Sequence, residues 1–114
     1  MKIEVHDRRH QFDEQTRAYA EYRVFSALAA HGDAVNGVDV ELTRTEAYTA
    51  EHDATGPGDA FACRIAIRLR SGREFEATSR ATHPYEAIER AARRITSGTR
   101  TMFEAVETTA APIA

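Results

Sequence analysis

Residues 61–95 read FACRIAIRLRSGREFEATSRATHPYEAIERAARRI, and this stretch decides the fold. Phe61, Cys63, Ile65, Ile67 and Leu69 alternate with Arg64, Ala66, Arg68 and Arg70, the period-two pattern of a strand buried on one face. Ser71-Gly72 is a tight-turn signal. Phe75, Ala77 and Ser79 then alternate with Glu74, Glu76, Thr78 and Arg80, so the two runs read as a β-hairpin. At Thr82-His83-Pro84 the period changes. Proline suits the first position of a helix, His83 or Thr82 its cap, and Glu86 the acidic place of a capping box. Tyr85, Ile88, Ala91, Ala92 and Ile95 form the apolar stripe of that helix, with Arg90, Arg93, Arg94 and Arg100 mostly opposite. Gly98 is expected to end or fray it, with Met102 and Phe103 as an extension of the apolar face.

Upstream, Lys2–His6 alternates as a first strand. Asp13-Glu14 opens a helix running to about Ala30, with Thr16, Ala20, Val24, Ala27 and Leu28 on one face and Gly32 as the stop. Asn36-Gly37 reads as a turn, followed by a strand in which Val38, Val40 and Leu42 alternate with Asp39, Glu41 and Thr43. Residues 46–58, ending in Gly-Pro-Gly, read as a loop, and residues 107–114 as a flexible tail. The order β-α-β-β-β-α predicts an α+β two-layer sandwich. A four-stranded mixed sheet carries both helices on one face and leaves the other face polar. The first crossover is expected to be parallel and right-handed. One domain over residues 1–106 accounts for the chain.

Composition narrows the function. The chain has 114 residues, 42% apolar and 29% charged, which suits a soluble globular domain burying roughly 65% of its unfolded surface. A single cysteine leaves no disulfide framework and no cysteine-based zinc site, and its strand parity points Cys63 into the core. The five histidines are scattered without metal-ligand spacing, and neither a nucleophile motif nor a phosphate-cradling glycine turn occurs. No enzyme, cofactor or small-molecule substrate is indicated. With no apolar leader or membrane-length run, the expected location is the cytoplasm.

The formal charge of −3 hides a division. Residues 1–57 hold six basic and eleven acidic side chains, whereas Arg64–Arg100 holds nine arginines against four glutamates. Arginine clustering of this kind fits a phosphate-bearing partner. It also fits a solvated helix face braced by Glu86–Arg90 and Glu89–Arg93 pairs, and sheet arginines paired across strands with Asp39, Glu41, Glu74 and Glu76. Tyr22 and Phe25 lie off the core stripe of the first helix, either packed at its margin or offering a weak self-association patch.

Three runs carry a family resemblance: VDVELTRTE (38–46), CRIAIRLRSGREFEATSRA (63–81) and HPYEAIERAARRI (83–95). They resemble the ribosome hibernation family of hibernation-promoting factor and ribosome-associated inhibitor A, also called the sigma-54 modulation family. Its second helix typically opens Asp-x-Tyr-x-Ala-Ile-Asp. Tyr85, Ala87 and Ile88 match, while His83 and Glu89 stand at the two Asp positions. The run SALAAHGDAVNGVDVEL (26–42) also aligns without a gap, so the likeness spans roughly residues 1–103. The resemblance implies the same β-α-β-β-β-α fold and binding to the small ribosomal subunit through 16S rRNA phosphates, with inhibition of translation or stabilisation of idle ribosomes. The positions it implies for that contact are Arg80, Arg90, Arg93, Arg94 and Arg100, with Arg64, Arg68 and Arg70 as a second group. The lysine-rich helix end usual in the family is missing here and the first half is acidic. The length leads us to expect a short form, without the C-terminal dimerisation domain of long members. Two alternatives remain at this stage. One is a double-stranded-RNA-binding domain, whose phosphate-gripping lysine pair is replaced here by His83-Pro84 and which lacks the first strand. The other is a homodimeric protein-interaction module that binds no nucleic acid.

Overall fold

The computed structural model describes residues 1–44 and 61–110, with side chains to Thr101. The loop reading of 46–58, the Met102 and Phe103 side chains and the last four residues lie outside the described part. Strand β1 (Lys2–His6) leads into helix α1 (Glu14–Leu28), and a 3₁₀ segment (Ala29–Ala34) carries the chain into β2 (Val35–Arg44). The hairpin strands β3 (Phe61–Leu69) and β4 (Glu74–Ala81) precede helix α2 (Pro84–Ala110). The sheet order is β1-β2-β3-β4. β1 runs parallel to β2, and the remaining pairs are antiparallel. This is the mixed four-stranded α+β sandwich that the alternation predicts.

Strand parity builds the core. Val38, Val40 and Leu42 of β2, Cys63, Ile65 and Ile67 of β3 and Ala77 and Ala81 of β4 turn to one side. There they meet Ala20, Val24 and Leu28 of α1 and Ala87, Ile88, Ala91 and Ile95 of α2. Burial in this layer pushes the Cys63 thiol up to about 12, so it stays protonated and unreactive.

Local chemistry fixes the entrances. Asp7 accepts from the backbone N–H groups of Gln11 and Phe12, closing the turn after β1. Asp13 caps α1, accepting from the Thr16 N–H at 2.8 Å and its hydroxyl at 2.6 Å. These bonds, Thr16 first, hold the Asp13 carboxyl below its usual range. Asp13→Ala is expected to lower the midpoint of chemical denaturation, because the first turn of α1 loses its cap. The hairpin closes through Arg70-Ser71-Gly72, with Gly72 at a φ of 93° that favours glycine.

Four local readings are corrected. Asn36-Gly37 lies within β2, where Val35 pairs with Leu69 and Gly37 with Arg68, leaving Asn36 as a bulge residue. The hydrogen-bonding demand of the adjacent strands outweighs the turn preference of the dipeptide. Gly32 sits inside the 3₁₀ segment, because α1 already ends at Leu28. Gly98 neither ends nor frays α2, which runs to Ala110. Its missing side chain makes room for the Phe75 ring, since a Cβ there would stand 2.0 Å from the ring's Cζ. Tyr85 is not a core residue. It is 43% exposed and packs edge-on against Tyr19, ring centroids 4.8 Å apart.

Candidate nucleic-acid interface

The arginines of the basic segment separate into two environments. On the open face of the sheet they alternate with acids. Arg64 donates to Glu76 at 2.6 Å, and Arg68 donates to Asp39. Lys2 pairs with Glu4 at 3.2 Å and Arg8 with Glu41 at 3.4 Å. This face is a mosaic of ion pairs in which Lys2, Arg8, Arg64 and Arg68 each have a carboxylate beside them. The sheet register explains it, because Arg64 lies opposite Glu41 on β2 and diagonal to Glu76 on β4. Glu4, His6 and Asp39 also gather here, brought together by the parallel pairing of β1 and β2. His6 Nε2 reaches Asp39 Oδ1 at 3.0 Å and Glu4 Oε2 at 3.9 Å, and Arg68 donates to the other oxygen of Asp39. The resulting bonds, His6 first and Arg68 second, hold the Asp39 carboxyl below its usual range. The parallel register, not sequence spacing, makes this cluster.

The edge between β4 and α2 is different. Arg80, Arg90, Arg93 and Arg94 line an open groove of about 600 Å³ together with Thr78 and Ser79. Edge strands present backbone carbonyls to solvent every second residue, about 6.6 Å apart. Helix side chains four residues apart lie at nearly that spacing. Here the two repeats match. Arg90 Nη1 donates to the Arg80 carbonyl and Arg94 Nη1 to the Thr78 carbonyl, both at 2.9 Å. The contacts occupy outward acceptors of the edge and brace each guanidinium, and they leave the other N–H groups of Arg94 available. The hydroxyl of Ser79, buried on the groove side of β4, has no hydrogen-bond partner among the described residues.

Two carboxylates temper this patch. Arg90 also pairs with Glu86 at 2.6 Å, and Arg93 with Glu89 at 3.4 Å. Arg80 and Arg94 have no carboxylate partner among the described residues, so the groove keeps a positive excess. Arg100 is exposed two turns beyond Arg93 on α2, and Arg70 is exposed at the hairpin tip, distant from the groove along the strand. Of the eight arginines singled out in the sequence, the structure gathers Arg80, Arg90, Arg93 and Arg94, while Arg64 and Arg68 sit in the sheet mosaic.

Sequence reasoning missed what holds α2 in place. Glu89 is the hub between the helices, receiving Arg23 Nε at 2.7 Å, Arg23 Nη2 at 3.0 Å and the Tyr19 hydroxyl at 3.0 Å. No periodicity within one helix signals a partner 66 residues away. The Arg23 bonds, ahead of the opposing effect of burial, hold the Glu89 carboxyl at about 2. Glu89 titrates lower folded than unfolded, where 4.5 is usual. Its stabilisation is therefore complete at neutral pH and is lost as pH falls through the folded value. Glu89→Gln is expected to lose about 1–2 kcal/mol at pH 7. Urea titrations of both proteins at pH 7 and at progressively lower pH check this, the difference shrinking toward pH 2.

Among the described residues, no helix is long and apolar enough to cross a membrane. The fold is similar to that in the crystal structure of the Thermus thermophilus Protein Y N-terminal domain. The TM-score is 0.62 at 17% identity, over 89% of this chain and 94% of that one. Comparison with curated proteins gives no match. The family model described as Sigma 54 modulation protein / S30EA ribosomal protein matches residues 3–104. Nearly the whole chain falls within that match, including both helices' packed portions and all four strands, and the protein belongs to this family.

Proposed function

We propose that the protein associates with the ribosome, binding the small subunit through 16S rRNA phosphates and either inhibiting translation or stabilising idle ribosomes. The observation that carries the reading is the groove between β4 and α2, where four arginines converge and two are braced on strand carbonyls. Guanidinium groups held this way offer forked donors to phosphate with little ordering left to do on binding. Family membership supports the choice of partner. Arg80, Arg90, Arg93 and Arg94 are the principal contacts in this account, and Arg100 extends their line. Arg64 and Arg68 mainly hold the sheet face together, and Arg70 is a peripheral contact. The chemistry is electrostatic recognition without bond breaking.

The partner's charge density makes ionic strength the natural test. Sucrose-gradient sedimentation with small subunits is expected to carry the protein into the particle fraction at low salt and release it steeply as salt rises. Absence from that fraction at low salt would contradict the proposal.

A further inference from the structure

We infer that the outward face of α1 is a stacking platform for unpaired bases of the same RNA strand whose phosphates lie in the arginine groove. This rests on the phosphate-binding reading above. Tyr22 and Phe25 are 64% and 54% exposed, whereas the other described rings, Tyr85 apart, lie in or against the core. With exposed Ala18 they occupy spacings of four and three, a single stripe along the helix. Neither ring is needed by the core, whose α1 contribution is Ala20, Val24 and Leu28.

One chain of contacts runs from beside the stripe to the arginines. Tyr22 lies one turn after Tyr19 and immediately before Arg23, the two residues that α1 extends to Glu89 on α2. Arg93 lines the groove and reaches the same Glu89, so it links the two surfaces. Packed helices lie about 8–10 Å apart, a gap that a nucleotide or two spans. Glu14 and Glu21 border the stripe away from α2, opposite the Tyr19 and Arg23 side. Those acids repel a backbone from that side, so the phosphates follow α2 while the bases turn over Tyr22 and Phe25. Aromatic faces accept any base, and platforms of this kind select unpaired strands over duplex.

A second copy of the chain fits the stripe less well. A tyrosine or phenylalanine presents about 200 Å². Four partly exposed rings from two copies would bury roughly 500 Å², well short of the ~1,200 Å² of a stable interface.

The test uses the full chain with a short oligoadenylate, free and annealed to oligouridylate. The free strand is expected to bind at least about tenfold more tightly than the duplex. Tyr22→Ala/Phe25→Ala is expected to abolish that preference while leaving the slope of affinity against salt unchanged, and Tyr22→Phe is expected to retain it. Both rings are exposed, so the double variant should keep its circular dichroism spectrum and melting temperature. An unchanged strand preference in the double variant, with Arg90→Ala/Arg94→Ala still weakening binding, would overturn the platform and leave the groove standing. No binding of either RNA by a parent protein that still sediments with small subunits at low salt would overturn the platform alone, and loss of both would overturn the groove as well. A parent dimer that Tyr22→Ala/Phe25→Ala converts to monomer in analytical ultracentrifugation would give the stripe to a second copy instead.

Discussion

Replacing Arg90 and Arg94 together by alanine is expected to lower affinity for small ribosomal subunits at least about a hundredfold near physiological salt. The slope of log affinity against log salt should fall by about 1.5–2, the signature of two lost phosphate contacts. The size of the effect follows from geometry. Both side chains are held by strand carbonyls at 2.9 Å, so neither has to be ordered when a phosphate arrives. Removing them also strips the groove of the cations that face Thr78 and Arg80. Arg64→Ala/Arg68→Ala is the matched control, with the same change in net charge. Those two guanidiniums are engaged by Glu76 and Asp39 in the sheet mosaic, so affinity is expected to change by no more than a few-fold. Binding titrations of both variants at several salt concentrations separate a local groove from a general effect of charge.

Gly98→Ala is expected to destabilise the fold, against the usual direction. In an exposed helix interior the change stabilises by about 1 kcal/mol. Here the new methyl meets the Phe75 ring, 2.0 Å from Cζ and 2.7 Å from both Cε atoms, so the ring or the helix must move. Phe75 is half-buried against the core, on the strand that also supplies the groove's carbonyls. Overpacking of this kind costs about 1–3 kcal/mol. Urea denaturation measures it, and combining Gly98→Ala with Phe75→Ala should recover part of the loss, since the two sites share the same space. Affinity for RNA should fall as well if displacement of α2 moves Arg90 and Arg94 off their carbonyls.

The fold was legible in the sequence wherever one face of an element is apolar. The β3–β4 alternation, the Asp13 cap and the inward stripe of α1 depend on local spacing, and each stands in the structure, with Ala27 only half-buried at the edge of the stripe. Glycine signals were legible only where backbone conformation is the reason for the glycine. Gly72 has a positive φ and makes the turn. Gly98 is small because Phe75 approaches it, a tertiary fact that local preference does not encode. The site was half legible. Arginine enrichment after residue 63 marks the region, but only the β4–α2 packing separates the groove from the sheet mosaic. The Glu89 hub and the strand carbonyls beneath Arg90 and Arg94 join residues far apart in sequence or acting through backbone, and neither leaves a pattern. Marginal packing for Tyr22 and Phe25 was the more ordinary reading. It fails because Thr16, Ala20, Val24 and Leu28 already fill the buried face of α1.

The central claim is that the β4–α2 edge, and not the open sheet, faces ribosomal RNA. Buried Cys63 does not compete for thiol reagents, so one introduced cysteine can carry an iron chelate that cleaves nearby RNA backbone with hydroxyl radicals. Ser97 is exposed one turn beyond Arg93 and Arg94, and Glu74 is exposed on the open sheet face. Ser97→Cys, tethered and bound to small subunits, is predicted to cut 16S rRNA at a confined set of positions, while Glu74→Cys gives weaker or no cleavage. Strong cleavage from Glu74→Cys with none from Ser97→Cys would contradict the account.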